Sequence, residues 1–262
     1  MKRLLVLIAV LMVVAAAGAG TFFGYRAGTA NAFHSLLGIA APAERRYHAI
    51  RYALGLEEFN GTTGQDLWVM HSVHPGVTDG FFVDLGSADG VAASNTWTLE
   101  RLGWTGICID PFPRNMDGRT CQMFAEAVDD VGGRTVQFQN PGSYSGGLVE
   151  HAGFWVLSKD KENAVTVTTT TLSDILRRAK APSYIHYLNV DIEGAEYAAL
   201  SNFPFDEYKF GAITIEHNNI EDRRAKLRDL LVKNGYRLEW AIRDQDWYVP
   251  AEDAPDAASS SK

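Results

Sequence analysis

Phe81-Phe82-Val83-Asp84-Leu85-Gly86-Ser87-Ala88-Asp89-Gly90 opens with a short apolar run, meets a carboxylate and then turns on glycine. Aromatic and β-branched residues without polar alternation describe a strand buried on both faces, as in a parallel sheet. The same ending recurs three times. Ile107-Cys108-Ile109 stops at Asp110, Tyr184-Ile185-His186-Tyr187-Leu188-Asn189-Val190 stops at Asp191, and Ala212-Ile213-Thr214-Ile215 stops at Glu216. Helical patterns occupy 94–102, 194–200 and 223–234, the last closed by Gly235 as a C-cap. Spacings of 26 residues from Asp84 to Asp110 and 25 from Asp191 to Glu216 suit a βα repeat. The pattern is that of a doubly wound α/β sheet.

The rest of the chain frames this unit. Of 262 residues, 46% are hydrophobic and 21% charged, the composition of an ordinary globular domain with its own core. The 24 Gly and 9 Pro show no period, which excludes collagen. No repeat or linker interrupts 61–250, so we read one domain there, with a polar, disordered tail at 251–262. Asp and Glu outnumber Lys and Arg by 32 to 24, and such an acidic body argues against a nucleic-acid backbone as main partner. Cys108 and Cys121 are too few for a disulfide framework, and no CxxC or Cys/His cluster suggests structural zinc.

Residues 1–26 stand apart. Between Arg3 and Arg26 there is no charge, and the apolar run 4–24 is long enough to span a bilayer core. We read a retained membrane anchor; a cleaved signal peptide is the alternative, given the basic start and the small Ala17-Gly18-Ala19. Lys2 and Arg3 precede the run, so the positive-inside rule places the amino end in the cytoplasm and exports the body, although two charges set topology only weakly. Residues 27–60 read as a juxtamembrane helical region, helical from about Pro42, and 65–73 as a second short helix.

In open parallel sheets, ligands bind outside the carboxyl ends of the strands. Four strands ending in acids therefore describe an acidic cleft there. Helix capping and turn formation account for any one acid about as well, but four together point to a site. The turn after Asp84 has neither GxGxxG nor a Walker GK[ST] sequence, which disfavours dinucleotides and nucleotide phosphates. An acid, a looser glycine turn at Gly86 and Gly90, and Asp110 placed to accept ribose hydroxyls suit a nucleoside bearing an amino acid. S-adenosylmethionine has that chemistry.

From about Gly61 to Pro250 the chain resembles the FkbM-type family of S-adenosylmethionine-dependent methyltransferases. The most specific match is Asp191-Ile192-Glu193-Gly194-Ala195-Glu196, the family's D-[IV]-E-G-x-E motif. The stretches 82–90, Gly103-Trp104-Thr105-Gly106-Ile107-Cys108-Ile109-Asp110-Pro111, Ile215-Glu216-His217-Asn218 and Asp246-Trp247-Tyr248-Val249 support it in the family's order. Ser87-Ala88 replaces the common Ala-Asn, and Asp110 stands where Glu is frequent; both changes are conservative. The resemblance implies a mostly parallel, seven-stranded, Rossmann-like methyltransferase sheet whose last strand, 246–249, is antiparallel. It also implies methyl transfer to a hydroxyl, often on a sugar, another glycan or a natural product.

On this basis Asp84, Gly86, Ser87 and Gly90 are expected at the methionine end of the cofactor, Asp110 at the ribose, and Glu126-Ala127, after a third strand at 120–124, at the adenine. Asp191 and Glu193 are the expected reaction centre, with His217 as a second candidate base, since a hydroxyl acceptor must give up a proton. His217 is read almost as readily as a buried structural histidine, and His186, inside a strand, as structural. Glu196 is expected to cap a helix or pair with a cation, Trp97, Trp104 and Tyr187 to belong to the core, and the loop 143–147 to cover the acceptor. Asp191, Glu216 and Asn218 offer hard oxygen atoms suited to Mg²⁺, but oxygen ligands alone are not diagnostic, so a divalent metal is the disfavoured reading here. A different reading stays open: a non-catalytic membrane protein with a methyltransferase-like domain serving trafficking or partner binding. An NAD-dependent oxidoreductase is disfavoured by the missing GxGxxG. Acceptor and oligomeric state are not legible.

Overall fold

The computed structural model describes residues 60–153 and 163–251. The expectations for 1–59 and 252–262 lie outside the described residues, and among those described no helix is long and apolar enough to cross a membrane. In chain order come α1 (Gln65–Trp68, continued by a π turn, Val69–Val73), β1 (Phe81–Leu85), α2 (Trp97–Arg101), β2 (Thr105–Ile109), β3 (Gln122–Phe124), β4 (Ala127–Val128), β5 (Thr135–Gln139), β6 (Gly147–Leu148) and β7 (Val165–Thr170). Then follow α3 (Leu172–Ala179), β8 (Tyr184–Val190), α4 (Glu196–Ser201), β9 (Lys209–Glu216), α5 (Glu221–Lys233), β10 (Tyr236–Ile242) and β11 (Gln245–Pro250).

The architecture is mixed α/β. The larger sheet runs β10-β11-β9-β8-β1-β2-β3, and β1 lies parallel between β2 and β8, so it is buried along nearly its whole length. β11 runs against both neighbours, β9 and β10, which makes the sheet mixed. Alternate residues of each strand face opposite sides. Val83, Leu188 and Ile213 thus join one buried layer with Leu227 and Leu231 of α5. Phe82, Tyr187 and Ala212 join the other with Trp68, Trp104 and Trp247.

A smaller sheet, β4-β7-β5-β6, was not anticipated from the sequence. It is tied to the main layer because α3 directly follows β7 and buries Leu172, Ile175 and Leu176 fully, each worth roughly 1.5–3 kcal/mol. Thr171 begins α3 by accepting a bond from the Asp174 N–H, and Lys180 in left-handed backbone ends it. The two cysteines form one crosslink, Cys108–Cys121, between β2 and the approach to β3. One bond is no framework, and the sequence reading did not foresee this pairing.

Candidate active site

The parallel strands β1, β2, β8 and β9 all end on one edge, and β11 brings Gln245 opposite Glu216 at the same edge. A cavity of about 420 Å³ opens there, in the range of small-molecule sites. Its lining includes Asp84, Gly86, Ser87, Asp110, Glu126, Ala127, Asp191, Glu193 and Glu216, so most of the residues singled out by sequence surround one space. Gly90 and His217 do not line it.

On the β1 side the groups are locked together. β1 continues through Asp84 to Leu85, so this carboxylate sits inside the strand, not at its end. One oxygen accepts the Thr96 hydroxyl at 2.6 Å and the other the Asn189 amide at 2.9 Å, while burial raises its pKa. The Asn189 carbonyl oxygen in turn accepts the Asn95 amide at 3.0 Å and the Thr214 hydroxyl at 2.9 Å. This chain leaves the Asn95 side-chain carbonyl buried without a hydrogen-bond partner, together with the hydroxyls of Thr63 and Ser87. All three residues line the cavity. A buried polar atom without a partner is costly, so residues of the lining that carry such atoms are candidates to meet a polar ligand.

Gly86 has φ +92°, and a Cβ there would fall on the Asp191 carbonyl oxygen. The strand ends therefore meet in direct backbone contact, for which only glycine leaves room. Gly90 has a different task from the one expected. Its N–H bonds the Arg114 carbonyl at 2.8 Å, and a Cβ would strike the Asn115 carbonyl oxygen at 2.6 Å. It packs the turn against 114–116.

Asp110 accepts the Ala88 N–H at 3.0 Å on one oxygen and the Phe112 N–H at 2.7 Å on the other, with lone pairs left over. Burial still holds its pKa above the ordinary carboxylate range. The Glu126 carboxylate pairs with Arg178 at 2.7 Å. Tyr144 of the 143–147 loop reaches the cavity with its ring 4.6 Å from the Arg114 guanidinium.

Beside the glycine turn, at the ends of β8 and β9, the lining is acidic. Asp191, Glu193 and Glu216 place carboxylate oxygens within 4.8 Å of one another. Burial, followed by the neighbouring acids, pushes Glu193 up to about 7 and drives Glu216 strongly upward. Asp191 also rises to about 7, through burial first. The motif's turn is held by Glu196, which accepts the N–H groups of Ile192 at 3.2 Å and Gly194 at 2.9 Å and lies 3.8 Å from Arg223. Glu193 adopts left-handed backbone, φ +56°.

Asn218 is not directed as a third ligand beside Asp191 and Glu216. Its carbonyl oxygen takes the Arg223 guanidinium and its amide donates to Glu193 at 3.2 Å. Glu193 occupies the place expected for Asn218. His217 is 3% exposed, accepts the Asn219 N–H at 3.2 Å and lies 3.7 Å from Asp246, away from the cavity. The structural alternative weighed for it therefore fits better than a base. His186 accepts the Phe81 N–H at 3.1 Å at the start of β1. Trp104 and Tyr187 are core residues.

Sequence reasoning missed Thr63, Asn95 and Asn189. Asn189 carried a signal: it is the one amide within the apolar run of β8.

The methyltransferase FkbM domain model matches residues 84–238, more than half of the chain. No curated protein and no solved structure matches. The match begins at Asp84 inside β1 and ends at Leu238 in β10, so it takes in the three acids and the glycine turn against them. A methyltransferase of this family has S-adenosylmethionine as its usual methyl donor, and the chain belongs to the FkbM methyltransferase family.

Proposed function

We propose that the protein transfers a methyl group from S-adenosylmethionine to a hydroxyl of a sugar, glycan or natural-product acceptor. The observation that carries this reading is one cavity lined both by residues with unpartnered buried polar groups and by three converging carboxylates. The first set fits the cofactor. The Asn95 carbonyl oxygen suits an ammonium, the Thr63 and Ser87 hydroxyls a carboxylate, and the spare lone pairs of Asp110 a ribose diol. When bound, S-adenosylmethionine supplies an electrophilic methyl on sulfonium and leaves as a thioether.

The protein's task is to hold the acceptor and take its proton. The acceptor oxygen forms the new bond to carbon, the carbon–sulfur bond breaks with its electron pair going to sulfur, and the hydroxyl proton passes to a carboxylate. Glu193 is the least buried of the three acids and lines the cavity, so it is the carboxylate we assign to take the proton. Asp191, pressed against Gly86, fixes where that base stands relative to the glycine turn.

The test is transfer of labelled methyl from S-adenosylmethionine to a panel of hydroxylated glycans and small molecules. The label should appear in an ether that survives mild alkali. Label lost to alkali, or carried on nitrogen, contradicts O-methylation.

We further propose that residues 4–24 anchor the protein as a single N-terminal span, with the catalytic domain on the cytosolic side where S-adenosylmethionine is made. One observation favours the other side of the membrane, and with it the second reading, a non-catalytic membrane-anchored protein serving trafficking or partner binding. A Cys108–Cys121 disulfide fits an oxidising compartment better than the cytosol. A reporter fused after Lys262 separates the two.

A further inference from the structure

We propose that Asp191, Glu193 and Glu216 bind one divalent cation of the hard, oxygen-preferring kind, such as Mg²⁺ or Mn²⁺. Three carboxylates with oxygens within 4.8 Å of one another make a donor set of suitable type and spacing. The cluster alone would not suffice, because acids also gather where they share protons. The second observation is Glu216 itself: 9% exposed, lining the cavity, with one carboxylate oxygen buried and unpartnered.

Two arginines stand near the cluster, Arg223 and, in the cavity lining, Arg243, but neither pairs with it. Among the described residues no Arg, Lys or His forms an ion pair with any of the three. Arg223, the cation beside them, is spent on Asn218, the His151 carbonyl and Glu196. Converging charges in a partly dry site require a compensating cation to ionise together. The cluster forms part of the cavity wall, so the cation's remaining positions face the cavity and take water or an acceptor oxygen. Binding of the cation stands on the cluster; its use towards an acceptor rests on the methyltransferase reading above.

The test uses the full chain and Mn²⁺ alone, followed by loss of the free-ion EPR signal, with S-adenosylhomocysteine titrated into the same samples. One Mn²⁺ per chain, displaced by Mg²⁺ and weakened at least about tenfold in Glu216→Gln, is the expected result. Should Glu216→Gln fail to give the native circular dichroism, Asp191→Asn provides the same comparison. No Mn²⁺ bound by the folded wild type, or binding indifferent to the substitution, overturns the proposal and leaves the acids sharing protons. Mn²⁺ bound without S-adenosylhomocysteine keeps the cation site and sinks the methyltransferase reading. The reverse pattern sinks the cation site alone.

Discussion

Glu193→Gln lowers kcat on the order of 10²- to 10⁴-fold, the usual contribution of a positioned general base, while S-adenosylhomocysteine affinity stays within about threefold. The substitution keeps size and shape but removes the group that takes the acceptor's proton. Glu193 also accepts the Asn218 amide at 3.2 Å, and a glutamine carbonyl oxygen can still do so, so the turn should survive. The Asn95, Ser87 and Asp110 groups assigned to the cofactor lie on other elements. A loss in cofactor affinity as large as the loss in kcat would make Glu193 a structural residue. An unchanged kcat would remove it from the chemistry.

Gly86→Ala disables the site by a different route. The residue needs φ +92°, and the new Cβ lands on the Asp191 carbonyl oxygen, a backbone atom with no freedom to rotate away. We expect a loss of about 3 kcal/mol or more in unfolding free energy, strain and overpacking together, and no measurable cofactor binding. Gly118→Ala is the matched control, with φ +85° and open space around it. It carries only the backbone cost of about 1 kcal/mol. Urea titrations of the two variants separate the terms of this comparison. Equal losses would mean that the contact between the β1 turn and Asp191 contributes nothing.

Much of this arrangement was legible in the sequence. Apolar runs ending in acids located β1, β2, β8 and β9, because strands covered on both faces have few other ways to be written. The reversed strand expected at 246–249 is β11, Gln245–Pro250. The helices beginning after 94 and 194 start two or three residues later than expected, at Trp97 and Glu196, since loop residues before each serve the site or its turn. What escaped has a common cause: it depends on which segments become neighbours. Asn95 and Asn189 are 94 residues apart, and their bond exists only because the β1 turn lies beside β8. The disulfide follows from the pairing of β2 with β3, which no spacing rule provides. β7 alternates Val and Thr over 165–168, a period-two pattern of an exposed-face strand and unlike the apolar runs of the main sheet.

His217 shows how one residue decides a role. Side chains alternate along a strand, so with Glu216 at the cavity the next residue is carried to the other side, where Asp246 lies.

The central claim is that the cavity at the strand ends is a working cofactor pocket, and calorimetric titration of S-adenosylmethionine and S-adenosylhomocysteine into the full chain tests it most directly. One site per chain is the predicted result, weakened about tenfold or more by Asp110→Ala, the loss expected for a hydrogen bond to a charged group. No binding to a chain that shows a cooperative thermal transition would contradict the account and leave the family's fold without the family's chemistry.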